Sequence, residues 1–328
     1  MTVRSCFFKF FPTPSFLVMP AACIAVSDDT LRLVELKKGK RTIELKDHLE
    51  KKLPPGTLEA GEIKEINSLV SSFKEIKSEY GIRHASLSLP EEKSYIYTTN
   101  IPADNGRISE EQVAFTLEKN IPFGVDEVVF DYMETGEEKD SEREVVVIAL
   151  PGTVVKGFIS ALKRSGIKPL YFEVESHSLS RAVINCDDPR THLMVHVQKD
   201  TTNISVVSRN IPRFTSTIHA GADIDNKSDL RKTTLWLKEE IERVKSYWRT
   251  HGSSGAGVPQ TVILCGEMAG QGSEKDIISS GLDMEVNIAN VWENITTFDE
   301  YIPDISHSES LRFGAAVGLA IREFKRIN

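Results

Sequence analysis

Two hairpin signatures constrain this chain more than any other feature. Ala25-Val26-Ser27-Asp28-Asp29-Thr30-Leu31 and His196-Val197-Gln198-Lys199-Asp200-Thr201-Thr202 each follow a short apolar strand, and both read Val-x-x-Asp-Thr before another β-rich run. Asp and Thr stabilise tight turns by bonding nearby backbone, so each segment is a strand–turn–strand. The same unit used twice predicts a chain of two related halves. A length of 328 residues agrees, since single cores stop growing near ~250–300 residues.

Composition narrows the function classes. Apolar residues make up 40% and charged residues 27%, ordinary for a globular protein. A net charge of −8 argues against nucleic acid or anionic lipid as a partner. The basic run Lys37-Lys38-Gly39-Lys40-Arg41 reads as a solvated turn. Cys6, Cys23, Cys186 and Cys265 lie far apart, which excludes a CxxC zinc site and a disulfide framework; Cys23 and Cys265, in apolar runs, are expected to be buried and inert. The histidines are not read as a metal set, and no G-x-S-x-G elbow occurs. Glu173 and Glu175, two apart on a strand face, are read as structural rather than as a catalytic pair. No catalytic residue and no metal ligand is expected.

The N-terminus imitates an export signal. Arg4 precedes Phe7, Phe8, Phe10, Phe11 and Phe16-Leu17-Val18-Met19, and Pro20-Ala21-Ala22-Cys23 hints at a lipoprotein cleavage site. Lys9, Pro12 and Pro14 interrupt the apolar run, and Cys23 to Leu36 is needed as the opening hairpin, so a cytoplasmic location is expected.

Along the chain, Ile63, Ile66, Leu69, Val70, Phe73 and Ile76 predict a helix ended by Gly81, followed by a strand from Ala85 to Leu89. Tyr95 to Thr99 reads as a strand. Ser109-Glu110-Glu111-Gln112 is a capping box opening a helix with Val113, Phe115 and Leu117. Strands Glu127 to Met133 and Glu144 to Leu150 flank an acidic turn, and a helix with Val154, Phe158, Ile159 and Leu162 closes at Gly166. Residues 91–165 thus form a β-α-β-β-α unit inserted into a first domain of 1–90 and 166–188. Asp187-Asp188-Pro189 marks the linker to a second domain, 189–328, in which about 222–260 is helical with Leu237, Ile241, Val244 and Trp248 on one face. The small-residue run Gly314 to Ala320 predicts a closely packed last helix.

Several short runs, in order, carry a family resemblance: Phe10-Phe11-Pro12-Thr13-Pro14, Ser88-Leu89-Pro90-Glu91-Glu92, Ile121-Pro122-Phe123 with Asp126-Glu127-Val128-Val129-Phe130-Asp131-Tyr132, Glu239-Glu240-Ile241-Glu242-Arg243, and Ala316-Val317-Gly318-Leu319-Ala320-Ile321-Arg322. Together they resemble the PilM family of type IV pilus assembly proteins, relatives of the cell-division protein FtsA. The resemblance implies an α/β, actin-like ATPase fold of two domains across a cleft, with an FtsA-type inserted subdomain. It implies a scaffold at the inner-membrane face that binds the cytoplasmic tail of a PilN-like membrane protein in a groove between the first and inserted subdomains. It also implies communication with a PilC-like platform protein and pilus motor ATPases, and leaves room for a homo-oligomer.

The resemblance also implies a nucleotide site, from which this sequence departs. The family's two Asp positions fall on Ala25 and His196, its turn glycines on Ser27 and Gln198, and its Gly-Gly-Gly-Ala segment on Gly266-Glu267-Met268-Ala269. Magnesium needs hard oxygen ligands and phosphate needs close backbone approach. The chain is therefore expected to take no cofactor and to be nonenzymatic. Degenerate candidates for a residual site are Ser27, Asp28, Thr30, Gln198, Lys199, Thr201, Thr202, Gly266 and Ala269, with Asp29 and Asp200 as displaced carboxylates. Two other readings are an ATP-dependent assembly switch and an FtsA-type division filament. The second expects a membrane-binding helix beyond Asn328, where the given sequence stops.

Overall fold

The computed structural model describes residues 21–102, 108–139, 141–220, 227–252, 255–267, 269, 274–297 and 299–327. The Phe10–Pro14 motif, the signal-like stretch through Pro20, and Met268 lie outside the described residues.

The first half runs β1 (Ala22–Val26), β2 (Thr30–Lys38), β3 (Ile43–Lys52), a small hairpin β4 (Leu58–Glu59) and β5 (Glu62–Ile63), helix α1 (Ile66–Tyr80), and β6 (His84–Leu89). Leu69, Val70, Phe73 and Ile76 of α1 are buried, and Gly81 ends it with φ +65°, a conformation only glycine adopts freely. Ile63, expected in that helix, belongs to β5.

The inserted unit follows: β7 (Tyr95–Pro102), α2 (Glu110–Asn120), β8 (Val128–Lys139) and β9 (Glu142–Pro151). Its sheet order is β7-β9-β8, antiparallel throughout. The capping box forms, with Gln112 N–H donating to Ser109 Oγ at 3.2 Å and Ser109 N–H donating to Gln112 Oε1 at 2.8 Å. Residues 134–139 and Glu142, expected within an acidic turn, instead lengthen the two strands, with a register shift between Glu134 and Glu138. Helix α3 (Gly152–Arg164), expected in the inserted unit, packs elsewhere. Val154, Phe158, Ala161 and Leu162 share a core with Leu69, Phe73 and Leu87, because its apolar face finds α1 and the first sheet rather than the small β7-β9-β8 core.

The chain continues through β10 (Lys168–Val174) and α4 (Glu175–Val183) to the second half: β11 (Thr191–Val197), β12 (Thr202–Ser208), β13 (Ile211–Ile218), α5 (Lys227–His251), β14 (Thr261–Gly266), α6 (Glu274–Ser279), β15 (Glu285–Ile288), α7 (His307–Ser310) and α8 (Gly314–Ile327). The two large sheets have orders β3-β2-β1-β6-β10 and β13-β12-β11-β14-β15. In both, the first three strands pair antiparallel and the last three parallel. The duplication implied by the two hairpins is thus written through both sheets.

Helices α4 and α8 join the halves. The run of small residues in α8 lets the helices approach until a Cβ on Gly318 would stand 1.7 Å from the Ser178 carbonyl oxygen. Arg181 Nη1 donates to the Gly318 carbonyl at 3.0 Å across the same contact. Cys23 and Val34 of the first sheet share one apolar cluster with Leu179, Ala316 and Leu193, so the two halves have a common core. Cys23 and Cys265 are buried free thiols, and burial pushes both well above the ordinary thiol value.

Candidate functional site

The two hairpin turns close alike. Ser27 N–H donates to the Thr30 carbonyl and Gln198 N–H to the Thr201 carbonyl, both at 2.9 Å. Within the first turn, Ser27 Oγ lies 2.7 Å from Thr30 Oγ1, and both hydroxyls reach Asp29 Oδ1, at 3.0 and 2.8 Å. Asp28 turns away: its oxygens accept the Ala60 and Gly61 amides at 2.6 and 3.0 Å, holding the β4–β5 turn, where both residues have positive φ. In the second turn Thr202 Oγ1 donates to the Ala220 carbonyl at 2.7 Å, Thr201 is buried, and Lys199 and Asp200 are exposed.

Glu175, the first residue of α4, is tied to the second turn. It is 6% exposed, accepts from Gln198 Nε2 at 2.7 Å and Asn203 Nδ2 at 3.0 Å, and lies 3.3 Å from His196 Nδ1. Glu173 and Glu175 therefore do not share a strand face. β10 ends between them, and Glu173 instead binds Arg181 through two oxygens at 2.7 and 3.0 Å. His192 and His196 have the spacing of a helical metal pair, but they stand on β11 with separate partners, Thr261 for His192 and Glu175 for His196. Among the described residues no three His, Cys, Asp or Glu side chains group to hold a metal ion.

Carboxylates crowd this region. Glu91 accepts both the amide and the hydroxyl of Ser176, at 2.9 and 2.8 Å, and burial pushes its carboxyl up to about 7. Burial, with Glu175, Asp28 and Glu91 nearby, raises Glu92 to about 8, and its Oε2 is buried without a partner. On the other side, Gly266 has φ +86°, and a Cβ there would meet the Val197 carbonyl oxygen at 2.2 Å. Glu267 N–H donates to that same carbonyl at 2.9 Å, while its side chain reaches Arg32 of β2. Ala269 is buried in the common core.

A second feature lies on the flank. β8 is one edge of the inserted sheet and β10 one edge of the first large sheet. Between them is a cavity of about 350 Å³ whose lining includes Val129, Met133, Leu150, Val155, Tyr171 and Phe172. Val129 is 48% exposed although apolar. At one end, burial holds His177 down to about 4; burial opposes the charge on Glu173, yet Arg181 keeps that carboxyl below its ordinary value. No sequence pattern identifies these lining residues, because the groove exists only once two strand edges far apart in the chain are set side by side.

A family model for the type IV pilus assembly protein PilM matches residues 23–221. The chain belongs to the PilM family. Its structure is similar to that of the PilM-PilN type IV pilus biogenesis complex, with a TM-score of 0.78 at 20% identity over 94% of this chain and 99% of that one. It is less similar to the ethanolamine utilization protein EutJ from Carboxydothermus hydrogenoformans, TM-score 0.51 at 12% identity over 94% and 90%. MreB5 of Spiroplasma citri bound to ADP gives a TM-score of 0.51 at 11% identity over 94% and 97%. No curated protein matches in sequence. At these identities the structural likeness is one of fold, and the fold of this PilM-family chain is that of the actin-like ATPases. Among the described residues no helix is long and apolar enough to cross a membrane.

Proposed function

We propose that this PilM-family chain is a nonenzymatic scaffold that holds the cytoplasmic tail of a PilN-like inner-membrane protein in the groove between β8 and β10. The observation that carries the reading is the pairing of an apolar cavity with two strand edges that no strand among the described residues pairs. Edge strands present free N–H and C=O groups to an extended peptide, and alternate side chains of that peptide need apolar pockets. The similarity to a PilM-PilN complex supports the choice of partner. Held this way, the chain works on the cytoplasmic side of the inner membrane through its partner.

The geometry of the cleft supports the nonenzymatic part. The Asp28 oxygens are committed to the Ala60 and Gly61 amides, which leaves them poorly placed for magnesium. Glu267, paired with Arg32, stands beside Gly266. These residues do not fit a magnesium nucleotide.

The test uses the purified chain and a fluorescent synthetic peptide of the tail encoded by a neighbouring gene for a small single-span membrane protein. Saturable polarisation that Val129→Asp abolishes is expected. No binding, or binding indifferent to Val129→Asp, overturns the groove assignment. Magnesium-dependent release of phosphate from ATP by the purified chain overturns the nonenzymatic reading independently, and calorimetric heat with millimolar magnesium ATP favours the ATP-dependent switch.

A further inference from the structure

The net charge of −8 hides an asymmetry in the first half. Its sheet, in the order β3-β2-β1-β6-β10, has one end at the cleft and one end away from it. At the far end Ala22, Ala85 and Pro169 lie level in neighbouring strands. The β2–β3 hairpin runs past them, since Cys23 is opposite Val34 while β2 stays paired with β3 as far as Lys38 and Ile43. Leu36 to Lys38 therefore project about 10 Å beyond the start of β1.

Cations gather at this end. Lys38, Lys40 and Arg41 form the hairpin tip, Arg83 precedes β6, and Lys168 opens β10. Lys325 lies in the last turn of α8, where the charges of Glu323 and Arg326 reach the Cys23 thiol of β1. All are exposed, and none has a carboxylate partner among the described residues. The acids here are mostly paired, Glu35 with Lys46, Glu44 with Lys37 and Glu323 with Arg326, which leaves Asp47 and Glu79. Asp299, Glu300 and Asp304 flank β3 on the side of the second half, where the Tyr301 hydroxyl reaches the Leu45 carbonyl at 3.4 Å. A cation near a helix C-terminus complements the helix dipole, which accounts for Lys325 but not for the hairpin tip, Arg83 or Lys168.

Residues 1–20 join the domain at the same end. They lead into β1, the middle strand, and contain Arg4 and Lys9, no acid, and Phe7, Phe8, Phe10, Phe11 and Phe16. Aromatic residues beside cations suit a bilayer interface, where the rings are buried and the charges meet headgroups. A nucleic acid would satisfy the cations and leave these rings with nothing to enter.

We propose that the end of the first sheet away from the cleft rests on an anionic lipid surface, with the hairpin tip, Arg83, Lys168 and Lys325 against the headgroups and the phenylalanines before β1 in the interface. A Lys or Arg at such a surface contributes a factor of about five, and stable attachment takes an apolar signal together with a basic one. Repulsion from the acidic remainder of the chain is screened beyond about 8 Å at physiological salt. In this orientation the start of β10 lies at the membrane, so a tail leaving the bilayer meets one end of the β8–β10 groove. The docking itself does not depend on that groove.

The test is co-sedimentation of the full chain, without any tail peptide, with vesicles of phosphatidylcholine alone or of equal parts phosphatidylcholine and phosphatidylglycerol. Binding to the anionic vesicles at least about tenfold tighter than to the neutral ones is expected, weakening as salt rises. Lys38→Gln, Lys40→Gln and Arg41→Gln together should weaken it roughly a hundredfold, from three factors of about five. Phe10→Ser with Phe11→Ser should weaken it about tenfold or more by removing the apolar signal. Lys52→Gln with Lys199→Gln, at the cleft end, should leave binding unchanged and serves as the charge control. Absence of binding to anionic vesicles overturns the proposal, as does equal binding to both vesicles or indifference to either set of substitutions. Retention on duplex DNA without sedimentation assigns the basic end to nucleic acid and overturns it as well. The groove reading is tested separately, with the tail peptide.

Discussion

Arg32 Nη2 stands 3.1 Å from Glu267 Oε1, joining β2 of the first sheet to the segment that follows β14 of the second. The same guanidinium donates from Nε to Glu50 Oε2 at 2.7 Å, and Arg32 as a residue is 7% exposed. One guanidinium thus ties Glu50 of its own sheet to Glu267 of the second half.

Replacing Glu267 by Ala should therefore lower unfolding free energy by about 1–2 kcal/mol, since Arg32 keeps Glu50 as a partner. Arg32→Ala should cost more, about 3 kcal/mol, because it removes both bonds from a buried position. Urea denaturation of the two variants measures both values, and equal costs would show that Glu267 carries the whole effect.

Gly318→Ala tests how closely α4 and α8 are packed. The added methyl would lie 1.7 Å from the Ser178 carbonyl oxygen, and backbone on both sides must give way. A loss of roughly 3 kcal/mol or more is expected, among the larger effects of a single methyl group. Thermal unfolding followed by circular dichroism would show it, and an unchanged midpoint would contradict the packing.

Glu92 predicts a pH dependence with a definite sign. Its folded value, about 8, lies above the ordinary 4.5, so the folded chain holds this proton more tightly than the unfolded chain. The contribution is full below pH 4.5 and is lost as pH rises through about 8. Glu92→Gln should thus gain at least about 1 kcal/mol over wild type at about pH 9 and close to nothing at about pH 4. Denaturation curves at both pH values supply the comparison; a gain confined to the acid side would reverse the assignment.

Arg213 of β13 and Glu144 of β9 form a buried ion pair, and removing one member should be worse than removing both. Glu144→Ala leaves a buried arginine without its anion and should cost about 3–5 kcal/mol. The double variant Glu144→Met with Arg213→Met should recover a large part of that loss. A double-mutant cycle by chemical denaturation gives the coupling, and strict additivity would mean the pair is not a unit.

Much of the local structure was legible. Helix α1, the Ser109–Gln112 capping box, the glycines that end helices and the buried face of α5 follow from periodicity and cap chemistry, which act over one or two turns. Strands β3, β13 and β15 were missed, since β3 alternates charge with scattered apolar residues and the other two are short or mixed. The affiliation of α3 was misread because an apolar helix face does not say which core will receive it. Of the candidate residues, Ser27 and Thr30 stay within their own turn, but Asp28 found partners more than thirty residues on, at Ala60 and Gly61.

The sequence by itself determined the duplication. Two turns with the same Val-x-x-Asp-Thr pattern, each between apolar strands, require the same local backbone. Tertiary structure decided what those turns now do. Glu175, Arg32 and Glu267 come from separate elements, and only sheet order and the contact of α4 with α8 bring them to the hairpins. The groove beside β8 arises the same way, because a strand edge becomes a surface only when the sheet that contains it is built.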